Sequence, residues 1–318
     1  MTRAFLFPGQ GSQAVGMGKV LAEAFASARD VFAEVDDALS QNLSRLMWDG
    51  PEADLTLTAN AQAAIMTASI AVVRVLQREA GFELHTHGKL VAGHSLGEYA
   101  ALCAAGAFSL ADTAKLLKIR GTAMQAAVPV GEGAMAALLG GDIALAEEVA
   151  REAVADAVEA HPVCVVANDN APGQVVISGL KATVDRAGAL AKAKGVKRVL
   201  PLAVSAPFHC PLMQPAADTM AEALAAVTIR PPVVPVVANV TAAPVAEPET
   251  IRRLLVEQVT GRVRWRESIA SLRELGIATT VEFGGNKVLT GMVKRIDKEL
   301  ATLNLDTPAD IEAFARTL

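Results

Sequence analysis

Gly93-His-Ser95-Leu-Gly97 is the first stretch of this chain whose residue types and spacing admit covalent chemistry. A serine hydroxyl attacks an acyl carbonyl when a sharp turn exposes it, a base sits beside it and N–H donors face the developing oxyanion. The flanks suit such a turn. Leu90-Val91-Ala92 is a short apolar run, long enough for a buried strand, and the alanine- and leucine-rich residues after Gly97 favour helix. On this reading Ser95 is a nucleophile at the apex of a strand–turn–helix elbow. The Leu96 amide, at the helix N-terminus, donates to the oxygen that gains charge. A glycine-bounded turn whose serine only caps the helix has the same pattern.

Three further stretches could complete such a site. His209 lies in Ser205-Ala-Pro-Phe-His-Cys-Pro211, where two prolines stiffen its backbone, so it reads as a base or as a structural histidine. Pro8-Gly-Gln10-Gly-Ser-Gln13 follows the apolar run Ala4–Phe7. It lacks the G-K-[ST] ending of a phosphate loop, and otherwise suits a loop bringing backbone N–H groups, that of Gln10 among them, close to a ligand. Arg120 shares a helical face with Leu116, Leu117 and Met124, whereas Lys115 and Lys118 point elsewhere. A guanidinium on an apolar face needs an anion, either an internal carboxylate or a substrate carboxylate, and the pattern does not choose between them. Together these residues fit acyl transfer through a serine ester. His209 would take the Ser95 proton and return it to a leaving thiolate. The Gln10 and Leu96 amides would hold the oxyanion, and Arg120 would hold a carboxylate at the far end of the acyl group.

The surrounding chain must position these groups. Patterning predicts strands at 4–7, 90–92, 134–139, 163–166, 174–178, 196–202, 236–239, 279–283 and 300–305. It predicts helices at about 17–39, 61–80, 111–127, 143–160, 182–194, 254–259, 265–275 and 288–296. Residues 167–173 are rich in Asn, Asp, Pro and Gly and read as a loop, and His85-Thr-His87 reads as a surface connector. Between 130 and 200 the order β-α-β-β-α-β is that of a ferredoxin-like unit. The expected fold class is therefore α/β: a large α/β-hydrolase-like domain with a parallel sheet core (1–129 and 201–318) and an inserted small ferredoxin-like subdomain (130–200).

The chain has 318 residues, 52% of them hydrophobic, enough for a large core. Its net charge of −5 argues against general nucleic-acid binding. No run approaches the ~18 apolar residues of a membrane span, and the N-terminal apolar stretch is short for a signal peptide. The three cysteines lack metal-ligand spacing, and Cys210 reads as packing beside His209, so a cytoplasmic, metal-free protein is expected.

Several segments together make the chain similar to the malonyl-CoA:acyl carrier protein transacylases, the acyltransferases of fatty acid and polyketide synthesis. They are Phe7-Pro-Gly-Gln-Gly-Ser-Gln13, Gly93-His-Ser-Leu-Gly-Glu-Tyr99, Arg120-Gly121 with Met124-Gln125, Gly133-Ala-Met135, Pro172-Gly-Gln-Val-Val-Ile177, Phe208-His209, Val263-Arg-Trp265 and Lys287-Val-Leu-Thr-Gly291. They cover nearly the whole chain. The resemblance implies Ser95 as nucleophile, His209 as base, the Gln10 and Leu96 amides as oxyanion hole and Arg120 as malonyl clamp. It implies that the backbone carbonyl of Gln258 orients the histidine in place of a triad acid, and that Phe208 favours malonyl over bulkier acyl groups. It also implies ping-pong transfer from malonyl-CoA to the phosphopantetheine thiol of acyl carrier protein, with no bound cofactor and no metal. A monomer is expected. Gly284-Gly-Asn286 departs from the family's usual Gly-Pro-Gly, in a loop expected to lie away from the chemistry. An α/β-hydrolase esterase would share the elbow, but its histidine lies near the C-terminus, and here none follows His209. A non-catalytic acyl-binding module on the same fold would not need Ser95, His209 and Arg120 together.

Overall fold

The structure is a computed structural model describing residues 2–204 and 206–318. Among the described residues ten strands form, in chain order β1 (Arg3–Phe7), β2 (Leu90–Gly93), β3 (Gly133–Leu139), β4 (Cys164–Ala171), β5 (Gln174–Leu180), β6 (Arg198–Pro201), β7 (Val236–Ala238), β8 (Ala243–Val245), β9 (Thr279–Phe283) and β10 (Ala301–Leu305). Six of them make one sheet in the order β10-β9-β1-β2-β7-β8. It is parallel except for the edge pair β7–β8, so the α/β class with a parallel core holds.

Helices cover both faces of that sheet, which is why its central strands are apolar on both sides. In β1, Phe5 and Phe7 join the large core on one face, while Ala4 and Leu6 join Trp265, Ile269 and Leu289 on the other. The helix Thr58–Ala80 lies in the first core and bonds to the sheet through Ser69 Oγ, which donates to the Phe283 carbonyl at 2.8 Å. Contrary to expectation, this helix is long and apolar enough to cross a membrane. Yet 83% of its apolar window is buried within the protein, as suits a central core helix.

The other four strands form a separate antiparallel sheet, β4-β5-β3-β6, the ferredoxin-like order, with its own apolar core under the helices Ile143–Ala155 and Lys181–Ala193. Here the structure corrects the sequence reading. Residues 167–171 are strand, not loop: β4 runs to Ala171 and turns only at Pro172-Gly173. Its register slips at Val166/Asn168 and again at Asp169/Ala171. Such bulges accommodate turn-type residues within a strand and redirect their side chains. Other differences are local. The helix expected over 17–39 breaks at Phe25, whose backbone is extended. His85 and His87 lie on a four-residue helical turn. Helices at Gln214–Ala225 and Pro308–Ala315, and strand β8, add to the expected set.

Candidate active site

The elbow forms as its sequence predicts. β2 ends at Gly93, Ser95 adopts φ 53°, and the helix Gly97–Ala104 begins directly after Leu96. Positive φ is costly for a serine and is held here by its surroundings. Two glycines allow the turn to close. A Cβ on Gly93 would fall 1.9 Å from the Gly97 carbonyl carbon, and one on Gly97 would fall 2.2 Å from the Phe7 carbonyl oxygen.

Ser95 Oγ lies 2.9 Å from His209 Nε2. The other ring nitrogen, Nδ1, is 2.8 Å from the backbone carbonyl of Gln258. A carbonyl only accepts, so Nδ1 carries the proton and Nε2 presents its lone pair to the serine O–H. Burial, and next the charge of Arg120, hold the His209 pKa down at about 3, so the imidazole is neutral and able to accept a proton. The resemblance implied this role for the Gln258 carbonyl, and the helix Pro248–Thr260 puts it there. His209 itself has φ 56° and leads into the short turn Pro211–Met213. The neighbouring Cys210 is fully buried, its thiol pKa raised by burial, and donates to the Pro207 carbonyl, so it packs.

Arg120 is fully buried on the helix Leu110–Ala126, on the same face as Leu116, Leu117 and Met124. Among the described residues it makes no ion pair. Its Nη1 donates to Gln62 Oε1 at 2.8 Å, and its Nη2 to Gln258 Oε1 at 2.8 Å and Ser95 Oγ at 3.1 Å. The guanidinium also sits 5.6 Å above the Tyr99 ring. Neutral acceptors thus solvate a cation that has no carboxylate directly opposite it. The choice left open by the sequence goes against an internal salt bridge.

A cavity of about 270 Å³ opens in front of these groups, lined by Gln10, Gln62, His94, Ser95, Arg120, Met124, Asn168, Asn170, Phe208, His209 and Met292, among others. Gln10, on the glycine-rich loop, and Phe208 both line it. Leu96, the residue after Ser95, is buried and is not among the lining residues. Among the described residues the N–H groups of Gln10 and Leu96 find no acceptor. Among the same residues no three His, Cys, Asp or Glu cluster as metal ligands.

The Gly284–Asn286 loop is not remote from the site. Asn286 Nδ2 donates to the Ser12 carbonyl at 3.1 Å, and Gly285 presses against Pro8, so the loop buttresses the one carrying Gln10. The helix that follows supplies Met292 to the cavity.

Sequence reasoning missed several contributors. His94 is half-buried and its Nε2 meets Asn170 Oδ1 at 2.8 Å, joining the elbow to the bulged strand. Asn239, at the end of β7, accepts the Ser95 N–H on Oδ1 at 2.7 Å. Glu98 is buried, and burial raises its carboxyl pKa to about 7. Its one sequence signal is a charge inside the apolar run Leu96–Leu102.

The acyl transferase domain family matches residues 4–306. The malonyl CoA-acyl carrier protein transacylase of Bacillus subtilis (strain 168) is 45% identical over 315 residues, 99% of this chain and 96% of that protein. The Escherichia coli (strain K12) protein of the same name is 44% identical over 310 residues, 98% of this chain and 97% of its own. Among solved structures, an acyl-carrier-protein-S-malonyltransferase from Bartonella henselae superposes with a TM-score of 0.96 at 54% identity, covering 100% of this chain and 99% of that one. A malonyl-transacylase in complex with a type II PKS acyl-carrier protein superposes at 0.94, with 41% identity and full coverage of both chains.

Proposed function

Because the chain belongs to the family of malonyl-CoA:acyl carrier protein transacylases, we propose that its acyl transfer runs through a malonyl ester on Ser95. The enzyme moves malonyl from coenzyme A to acyl carrier protein, and the steps follow from the site. His209 Nε2 accepts the Ser95 proton as Oγ attacks the thioester carbonyl. The Gln10 and Leu96 N–H groups hold the tetrahedral oxyanion. The carbonyl reforms, the C–S bond breaks, and the imidazolium gives its proton to the leaving thiolate. In the second half-reaction the carrier's phosphopantetheine thiol gives its proton to His209 and attacks the ester, the C–O bond to Ser95 breaks, and the imidazolium returns the proton to Ser95 Oγ.

Arg120 supplies the specificity. Acylation turns Oγ into an ester oxygen, a poorer acceptor, which releases an Nη2–H. With the second Nη1–H this makes a two-point donor for the malonyl carboxylate. Phe208, on the cavity wall, limits bulk beside that carboxylate. No bound cofactor or metal enters these steps. We place the enzyme in the cytoplasm as a monomer, with residues 130–200 as a subdomain set into the larger one.

The observation carrying this reading is the chain of contacts Gln258 carbonyl–His209–Ser95–Arg120, which joins a base, a nucleophile and a buried unpaired cation. Intact-mass measurement after mixing with malonyl-CoA tests it. Wild-type protein should gain one malonyl group and lose it on addition of holo carrier protein, and folded Ser95→Ala should gain none. A malonyl adduct on folded Ser95→Ala would assign the nucleophile elsewhere.

A further inference from the structure

Glu98 is buried one helical turn behind the nucleophile, and no step above uses it. Its Oε2 accepts from Gln258 Nε2 at 2.8 Å and from the Asn239 N–H at 3.1 Å. The opposite end of the Gln258 carboxamide, Oε1, accepts from Arg120 Nη2. The Asn239 carboxamide is spoken for at both ends too, with Nδ2 donating to the Gly93 carbonyl and Oδ1 accepting from Ser95 N–H.

A carboxamide can turn over, exchanging its oxygen for its NH₂ with almost no change of shape. Beside Arg120, which has donors only, the two orientations are far from equal. With oxygen forward, Gln258 solvates the guanidinium. With NH₂ forward, donor faces donor and the cation is left short of an acceptor in a site closed to water. An ionised carboxylate behind the amide is an acceptor only, so it holds the NH₂ to itself and the oxygen toward Arg120. The Ser95 carbonyl, 3.0 Å from Gln258 Nε2, pulls the same way with a weaker neutral bond.

We propose that Glu98 is a positioning residue for selectivity: by pinning the Gln258 carboxamide it aims Arg120 at the carboxylate of the incoming acyl group. This rests on the clamp role given to Arg120 above. Burial raises the Glu98 carboxyl to about 7, so about half of it is ionised at pH 7, and the ionised form is the one that holds the amide this way. In Glu98→Gln the side chain keeps its shape and its oxygen can still accept from Asn239. It can also turn an NH₂ toward Gln258 and so favour the wrong orientation.

The test is acylation kinetics with malonyl-CoA and acetyl-CoA, in wild type, Glu98→Gln, Gln258→Leu and the double variant. Gln258→Leu leaves the backbone carbonyl that orients His209. Loss of one charge-assisted bond predicts a fall of about 10- to 100-fold in malonyl kcat/KM for Glu98→Gln, mostly through KM, and a smaller fall with acetyl-CoA. If Glu98 works through the Gln258 amide, Glu98→Gln should add little to the malonyl/acetyl ratio in the Gln258→Leu background. Equal losses with both substrates, or additive effects in the double variant, would overturn the assignment. Should Glu98→Gln fail to fold, Glu98→Asp, which withdraws the charge by one methylene, should shift the ratio in the same direction, and an unchanged ratio would overturn it. If wild type forms no malonyl adduct, the reading of the whole site falls. If it does and the ratio is indifferent to residue 98, only the role of Glu98 falls.

Discussion

Arg120 holds a charge where charge is costly, without an anion to compensate it directly. Breaking a buried pair typically costs ~3–5 kcal/mol, and on the proposed reading the missing partner is the carboxylate of the malonyl group. Arg120→Ala should lower malonyl acylation by roughly 100-fold or more, acting on both binding and orientation. Because Arg120 also touches Ser95 Oγ, some loss with acetyl-CoA is expected, and the malonyl/acetyl ratio is the measurement that isolates the clamp. Arg120→Lys should recover only part, since an ammonium lacks the planar fork. An unchanged ratio would leave Arg120 a purely structural role. If one imidazole serves as base and then acid, as proposed, His209→Ala should slow both half-reactions by about 10²–10⁴-fold. Stopped-flow release of coenzyme A and single-turnover transfer to the carrier would each report one step; a native rate in either removes His209 from that step.

The same histidine makes stability depend on pH. Its folded pKa is about 3 against an ordinary 6.5, so as pH falls from 6.5 the unfolded chain takes the extra proton and the native state loses stability. Glu98 works in the opposite sense. With its carboxyl raised from 4.5 to about 7, its contribution is full below 4.5 and is lost as pH rises through 7. Urea unfolding between pH 7 and 4 should therefore show a smaller loss on acidification for His209→Gln than for wild type. Parallel pH profiles would mean that the native imidazole is not held neutral.

At the scale of elements, the site depends on two backbone departures from regularity. The elbow needs Gly93 and Gly97 because their missing side chains are occupied by neighbouring backbone. Gly93→Ala should cost more than ~3 kcal/mol, since backbone rather than a flexible side chain must move. A urea midpoint close to wild type would show that the turn adapts. The second departure is the pair of bulges in β4. In this stretch Asn168 and Asn170 line the cavity, while Asp169 pairs with Arg266, 2.7 Å distant. The His94–Asn170 contact then ties the turn carrying Ser95 to the smaller sheet.

At the scale of the molecule, the cavity lies between two sheets with separate cores, and a carrier protein must reach it from outside. Exposed Lys192, Lys197 and Arg198 flank the smaller sheet, and Leu202 to Val204, just past β6, line the cavity. Lys194, in the same cluster, is held by Glu148 and Glu152. Lys294 and Arg295 lie on the helix that supplies Met292, with Arg295 donating to Gln174 Oε1 and the Pro172 carbonyl. We expect one of these clusters to receive the carrier despite the net acidic charge. Reversing Lys197 and Arg198, or Lys294 and Arg295, to Glu should raise KM for the carrier and leave KM for malonyl-CoA unchanged. Equal effects on both substrates, or none, would exclude the cluster tested.

Much of the site was legible because its chemistry is local. The elbow is a contiguous strand, turn and helix, so Gly93, Ser95 and Gly97 announce it, and Arg120 reveals its burial through neighbours at helical spacing. Ferredoxin-like order could be read from alternation alone, since each element signals its own period. What the sequence left open depends on atoms far apart in the chain. Whether Arg120 faces a carboxylate was decided by Gln62 and Gln258, 58 and 138 residues away, which present neutral oxygens. Asn-Asp-Asn read as a turn because those residues favour turns locally, yet pairing with β5 drew them into a bulged strand. The Gly284–Asn286 loop looked remote because nothing in its residues reports that it rests on Pro8 and Ser12. Glu98 drew no reading of its own in the sequence, because its partners Gln258 and Asn239 reach it only on folding. Propensity and periodicity act over a few residues and set the elements; the partner of a buried polar atom is chosen only when distant segments meet.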